Sequence, residues 1–337
     1  MSTRPEPDRS IKNQSIQVTT RHDRSMYMFF IQLLLRPFHN HVGRPGKRQP
    51  KGSIELKASP IGTKKCTVSH KTVCDIHVYD MESKGSSKSD TKTRIYYFCG
   101  GGWQSPPSSQ HWGMCSRMAQ DLPGTTVSLV SYPLAPNNPA PEAFPWLMRF
   151  YREIMERADE VGEKVILAGD SSGGNIVLSL ILEALREDEA EAAVSETKRR
   201  SHPVAILAMC PSTDLTRRNP DIKKLEKVDP MLRFKFVKST AEAWYGDWDP
   251  EDRRVTPANG DISLLAKYGV RVHGITAGYD ILSADGIIFR KKLEEHGVQG
   301  QWLHWEKQMH CFVLTYPYGL REAKEAIDWV MDVLKAE

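Results

Sequence analysis

Four stretches of the 337-residue chain hold groups that could do chemistry together. Residues 164–182 read KVILAGDSSGGNIVLSLIL: an apolar run stops at Gly169, Asp170-Ser171-Ser172-Gly173-Gly174 follows, and apolar residues then resume at helical spacing. Gly169 to Gly173 fits G-x-S-x-G between a strand and a helix, the setting of a nucleophile elbow. A turn that tight leaves little room for flanking side chains, hence the glycines. Ser171 is thrust out at the carboxyl end of the strand, at a helix N-terminus whose free amides favour developing negative charge. Ser172 would offer its backbone N–H to an oxyanion. The competing reading is a helix cap followed by a glycine-rich packing face.

A serine hydroxyl is a weak nucleophile at neutral pH. It needs a base, and the base needs an orienting carboxylate. With a serine in such an elbow, the order along the chain is Ser, acid, His. Of 11 histidines, His296, His304 and His310 follow the late strands. His296 lies in a charged helix end, KKLEEHG, and His304 alternates within a strand toward a neighbour. His310, in KQMHCFVL, follows the last strand at a loop-like point, where a base belongs. In AGYDILSADG, Asp280 comes just past a strand's carboxyl end and can reach a histidine at the same edge. Asp285 is its rival and fits a cap near the start of the next helix. Cys99-Gly100-Gly101-Gly102-Trp103 follows another strand. Successive glycines let backbone N–H groups turn toward one point, so Gly100 and Gly101 are the expected oxyanion donors beside Ser172.

The elements that must position these groups alternate between strand-like and helix-like runs. Strands are expected at Cys66–Met81 (one or two), Arg94–Cys99, Thr126–Tyr132, Val165–Ala168, Val204–Cys210, Arg271–Thr276 and Gln301–Trp305. Helices are expected at His111–Asp121, Glu142–Val161, Ser172–Arg186, Ala284–His296 and Gly319–Leu334. Such alternation predicts an α/β fold, a mostly parallel sheet with helices on both faces. The rhythm breaks over residues 215–263, which hold a helical stretch at Pro230–Tyr245 and no convincing strand. That insertion would form a helical cap within a domain running from 66 to 337.

Residues 1–65 carry 13 Lys+Arg against 4 Asp+Glu, and the other 272 residues carry 33 against 38. A basic arm, with residues 1–25 read as disordered and 36–65 as a linker, therefore precedes a mildly acidic body. No basic stripe interleaved with aromatics runs through the body, which argues against nucleic-acid binding. Within the arm, MYMFFIQLLL (26–35) is about half a membrane span. It reads as a helix that joins the cap in preference to an interfacial membrane anchor. The six cysteines show no C-x-x-C pairing or zinc-like spacing, so no metal is expected. They read as reduced core thiols of a cytoplasmic protein.

Taken together the stretches resemble the hormone-sensitive-lipase-like branch of the α/β-hydrolase family. The blocks that match are CGGGW (99–103), YPLAPNNPAPEAFP (132–145), GDSSGG (169–174), DILSADG (280–286) and HCF (310–312). The resemblance implies an eight-stranded core, a helical cap and cofactor-free hydrolysis of acyl esters. It supports Ser171, Asp280 and His310 as the triad, with amide donors at Gly100, Gly101 and Ser172. Three positions depart: Cys99 replaces the motif's His, Pro133 an Arg, and Cys311 a Gly. The loops GGGWQSPPSSQHW and YPLAPNNPAPEAFPW also resemble hydrolases of fungal secondary-metabolite pathways, including cytochalasin-type ones. The expected substrate is an ester of an apolar small molecule. Phe29, Phe30, Leu34, Phe234, Phe236, Trp244 and Tyr245 are candidates either to line its pocket or to form cap core. An amidase such as an arylformamidase, a thioesterase, and a non-catalytic ligand-binding protein on the same scaffold are the alternatives. The sequence does not specify an oligomeric state.

Overall fold

A computed structural model describes residues 14–38, 47–85, 92–194 and 200–337. The start of the arm, residues 39–46 of the linker, most of the Ser83–Asp90 loop and part of the charged connection at 187–202 lie outside the described residues. The strands are β1 (Ile16–Arg21), β2 (Cys66–Val73), β3 (Ile76–Ser83), β4 (Thr93–Phe98), β5 (Thr125–Ser131), β6 (Lys164–Asp170), β7 (Ala205–Met209), β8 (Arg271–Tyr279) and β9 (Gly300–Met309). The helices are α1 (Met26–Leu35), α2 (Pro60–Thr63), α3 (Ser109–Asp121), α4 (Ala140–Val161), α5 (Ser172–Ala192), α6 (Asp221–Leu225), α7 (Phe234–Tyr245), α8 (Ser263–Lys267), α9 (Ser283–Glu295) and α10 (Arg321–Lys335). Each element expected from the sequence is present, though α5 runs six residues past its expected end at Arg186 and β9 four past Trp305.

The strands form one sheet in the order β1-β9-β8-β7-β6-β4-β5-β3-β2. Only β2–β3 and β3–β5 pair antiparallel. The sheet therefore has nine strands where eight were expected, and the ninth is β1, from the segment read as disordered. IQVTTR alternates over only six residues, and its partner is β9, which β1 joins in parallel from Ile16↔Gly300 to Arg21↔Trp305. A pairing across the whole chain leaves no local signature. β1 also covers what would be an open sheet edge along β9.

The central strands are buried on both sides: β6 hides six of its seven residues and β7 all five. This is why they read as unbroken apolar runs. α5 packs on β6 and β7, starting directly from the end of β6. The two backbones approach so closely that a Cβ on Gly173 would sit 1.9 Å from the Phe98 carbonyl oxygen. That oxygen belongs to the β4 backbone and cannot swing away. Gly173→Ala should cost roughly 4 kcal/mol or more, read as a lost or sharply lowered urea midpoint.

Residues 215–263 contain helices and no strand. A small apolar cluster of Ile222, Leu232, Val237, Ile281, Leu282 and Ala284, with Phe234 and Phe236 against it, packs this segment onto the loop after β8. No helix among the described residues is long and apolar enough to cross a membrane.

Candidate active site

Every singled-out stretch sits at the carboxyl end of a parallel strand: Cys99–Trp103 after β4, Ser171 after β6, Asp280 after β8 and His310 after β9. Ser171 has φ 51° and ψ −116°, outside the broad allowed regions for an L residue. Its N–H is held by the Met209 carbonyl at 2.9 Å, and its own carbonyl accepts from Asn175 and Ser212. These bonds fix the turn in its strained shape and leave the hydroxyl half-exposed.

Asp280 and His310 are aligned by register. β8 and β9 pair Ala277↔Trp305 and then Tyr279↔Met309, so β9 carries two extra residues across a bulge. Asp280 and His310 are the residues that follow the last pair. Without the bulge His310 would lie two positions further along, about 6.6 Å out of place. Gly278 makes the bulge possible, because a Cβ there would meet the Glu306 carbonyl oxygen at 2.0 Å. On the other strand, Gln32 of α1 donates its Nε2 hydrogen to the Lys307 carbonyl at 3.0 Å. The N-terminal helix thus holds the bulge that places His310.

His310 Nδ1 lies 2.7 Å from Asp280 Oδ2, and His310 Nε2 lies 2.9 Å from Ser171 Oγ. Asp280 is fully buried and its other oxygen accepts from the Leu282 N–H at 2.9 Å. The acceptor-only carboxylate assigns the Nδ1 hydrogen, so Nε2 faces the serine with a lone pair. Burial alone would pull the imidazole below its usual value. Asp280's charge and hydrogen bond outweigh it and push His310 up to about 9. Behind the pair, Asp229 accepts from the N–H groups of Met231, Leu232 and Ile281. Burial, then the nearby Asp280 charge, raises its carboxyl well above the ordinary range.

The rivals lie elsewhere. His304 bonds Thr276 within the sheet at 2.9 Å, and His296 is exposed at the end of α9. Asp285, in the first turn of α9, accepts from Asn219 at 2.9 Å and is pushed up to about 6 by burial.

The oxyanion assignment needs one correction. The Gly100 N–H donates to Asp170 Oδ1 at 2.9 Å, so it is already spent. No partner holds the N–H of Gly101 or Gly102 among the described residues, which leaves those two and Ser172 as candidate donors. Sequence reasoning passed over Asp170, the second residue of the elbow. Buried beside Ser171, it accepts from the Tyr97 hydroxyl at 2.7 Å as well as from the Gly100 N–H. His111 Nε2 lies 3.3 Å from it. Because Ser108 N–H donates to His111 Nδ1 at 2.9 Å, the His111 hydrogen sits on Nε2 and faces the carboxylate. Burial works against the Asp170 charge, but His111, Tyr97 and Gly100 outweigh it and hold the carboxyl below the usual range. Cys99, in place of the motif's His, is buried, and its carbonyl accepts from the Tyr132 hydroxyl at 2.9 Å. Asp170 and Tyr132 thus hold the N–H and the C=O of the single Cys99–Gly100 peptide group.

A cavity of about 480 Å³ opens beside His310, lined by Tyr27, Ile31 and Leu35 of α1, Met231, Leu314 and Tyr318 among others. None of the seven residues put forward either as pocket lining or as cap core lines this cavity. Phe29, Phe30 and Leu34 lie on the outer side of α1, exposed by 37%, 52% and 67%. Trp244 is fully buried and stacks on Trp103 at 5.9 Å, and Phe234 and Phe236 join the small cluster under the acid loop. Tyr245 packs against the main core. A helix as uniformly apolar as MYMFFIQLLL carries no stripe to say which face turns inward.

A strained serine after the central strand β6, bonded to a His after β9 that is bonded in turn to an Asp after β8, is the arrangement expected of an α/β hydrolase. A family model of the alpha/beta hydrolase fold matches residues 95–314, and the chain belongs to that family. Within it the chain falls in the hormone-sensitive-lipase-like branch. It is 27% identical over 206 residues to an esterase of Acinetobacter venetianus, spanning 59% of this chain and 60% of that protein. It is 28% identical over 159 residues to the hormone-sensitive lipase of Mus musculus, spanning 46% of this chain and only 19% of that protein. The fold is similar to the crystal structure of a hormone-sensitive lipase from a metagenome library, with a TM-score of 0.73 and 20% identity over 94% of this chain and 99% of that one.

Proposed function

We propose that the protein is a cofactor-free serine hydrolase of carboxylic esters, with Ser171 as nucleophile, His310 as base and Asp280 as the orienting acid. The observation that carries this reading is the continuous chain Ser171 Oγ–His310 Nε2 and His310 Nδ1–Asp280 Oδ2, at 2.9 and 2.7 Å. Ser171 Oγ attacks the acyl carbonyl carbon and its proton passes to His310 Nε2. The oxyanion is met by N–H groups of Gly101, Gly102 and Ser172. Collapse breaks the ester C–O bond, and the alkoxide leaves with the proton from His310. Water then loses a proton to His310 and attacks the acyl carbonyl carbon, and collapse breaks the acyl–Ser171 bond, freeing the acid while Ser171 Oγ takes the proton back from His310. Asp280 stays ionised throughout, holding the tautomer and stabilising the imidazolium.

Aliphatic and aromatic side chains dominate the cavity beside His310, so we assign it to the apolar part of the ester. The loops that resemble secondary-metabolite hydrolases suit a bulky metabolite ester. A panel of esters, aryl formamides and thioesters tests the bond type: the highest kcat/KM is expected on esters. A consistent preference for formamides would overturn the ester assignment and leave the triad standing. Leu314→Trp, which fills the cavity, should lower kcat/KM for bulky apolar esters by at least about tenfold while sparing an acetate ester.

A further inference from the structure

Two of the free cysteines fall beside the proposed base. Cys210 directly follows β7 and Cys311 directly follows His310. Their sulfurs and a ring nitrogen of His310 all lie within 4.8 Å of one another. We infer that Cys210, Cys311 and His310 form a binding site for a thiophilic divalent cation such as Zn²⁺, and that a cation bound there takes His310 away from Ser171 and shuts the site down.

The geometry suits such an ion. Zn–S bonds of about 2.3 Å and Zn–N bonds of about 2.0–2.1 Å at tetrahedral angles place sulfur and nitrogen roughly 3.5 Å apart. Cys311 Sγ lies 3.4 Å from His310 Nε2. The opposite ring nitrogen, Nδ1, is held by Asp280 at 2.7 Å, the carboxylate–histidine arrangement that orients imidazole ligands toward metals. Cys210 Sγ already accepts the Cys311 N–H at 3.4 Å, which fixes its place beside Cys311. Two sulfurs and one imidazole favour zinc, cadmium or cobalt over magnesium or calcium. His310 and Cys311 line the cavity, which gives the ion a route in. Ser171 Oγ or water would complete four-coordination. The opposing term is Asp170: Cys311 Sγ lies 3.6 Å from its Oδ2, and a metal-bound thiolate could no longer donate to it.

Both cysteines also occupy left-handed backbone, at φ 46° and 48°, where glycine is the easy residue. In the motif the chain resembles, glycine stands at the second of these positions. A thiol there is a departure that hydrolysis itself does not use.

The test has two arms. Co²⁺ is titrated into Ser171→Ala protein under reducing conditions. This arm is independent of hydrolysis, so it stands even if the proposed function fails. Thiolate-to-cobalt absorption saturating at one ion per chain is expected, and it should vanish in Cys210→Ala,Ser171→Ala. In the second arm, Zn²⁺ inhibition of ester cleavage is measured for the wild type, Cys210→Ala and Cys311→Ala, each against its own metal-free rate. Loss of an outer-shell partner typically weakens a metal about 10–100-fold, so removing a direct ligand should raise the half-inhibiting concentration at least about 100-fold. Mg²⁺ should not inhibit. No thiolate absorption in the serine variant, or equal zinc sensitivity in wild type and both cysteine variants, overturns the inference.

Discussion

Ser171→Ala should lower kcat by about a millionfold and leave the fold intact. Loss of the nucleophile in a serine triad removes the covalent path entirely, leaving only what the oxyanion donors and binding achieve with water. The backbone at Ser171 is held by main-chain bonds to Met209, Asn175 and Ser212, none of which involves the hydroxyl. Thermal unfolding should therefore shift by no more than a few degrees. The variant relaxes only one side-chain contact, to His310. His310→Ala should fall nearly as far, and the double variant no further, because the two groups act as one unit.

Asp280→Asn should cost about 10⁴-fold in kcat. An amide in place of the carboxylate can donate to His310 Nδ1, which stabilises the tautomer with hydrogen on Nε2 and takes the lone pair away from Ser171. The pH profile should move as well. Neutral His310 is the base, so kcat/KM rises with pH through the His310 pKa. Asp280's charge pushes that pKa up while burial pulls it down, so removing the charge moves the rising limb to lower pH. Stability runs the other way. A histidine raised from 6.5 to about 9 by its partner contributes stability that is complete below 6.5 and lost as pH climbs through about 9. Wild-type protein should lose more stability across that window than Asp280→Asn. A rising limb that stays in place in the variant would mean that Asp280 does not control the base.

Ser171, Asp280 and His310, which the structure links by hydrogen bonds, stand out in the sequence because each directly follows a strand, and strand ends show as the point where an apolar run stops. The glycine-flanked elbow was equally plain, since only a close backbone approach such as that of Gly173 to Phe98 demands it. What the sequence hid was pairing between distant segments. The bulge between Ala277/Tyr279 and Trp305/Met309 brings His310 level with Asp280, yet a one-dimensional pattern gives Glu306–Gln308 no mark. β1 was hidden for the same reason. Nothing in the sequence shows that the Gly100 N–H is taken, since three consecutive glycines look alike until Asp170 is seen to occupy the first N–H. On α1 the inward face could not be picked from a run with apolar residues on every side. The two-cysteine cluster was hidden because its members, about a hundred residues apart along the chain, meet only where β7 and β9 flank β8.

The most direct test of the central claim is to label the folded protein with a fluorophosphonate and map the adduct by peptide mass spectrometry. One adduct per chain is expected, on Ser171, absent after unfolding and absent in Ser171→Ala. An adduct on another serine, or none on folded protein that cleaves esters, would contradict Ser171 as the nucleophile.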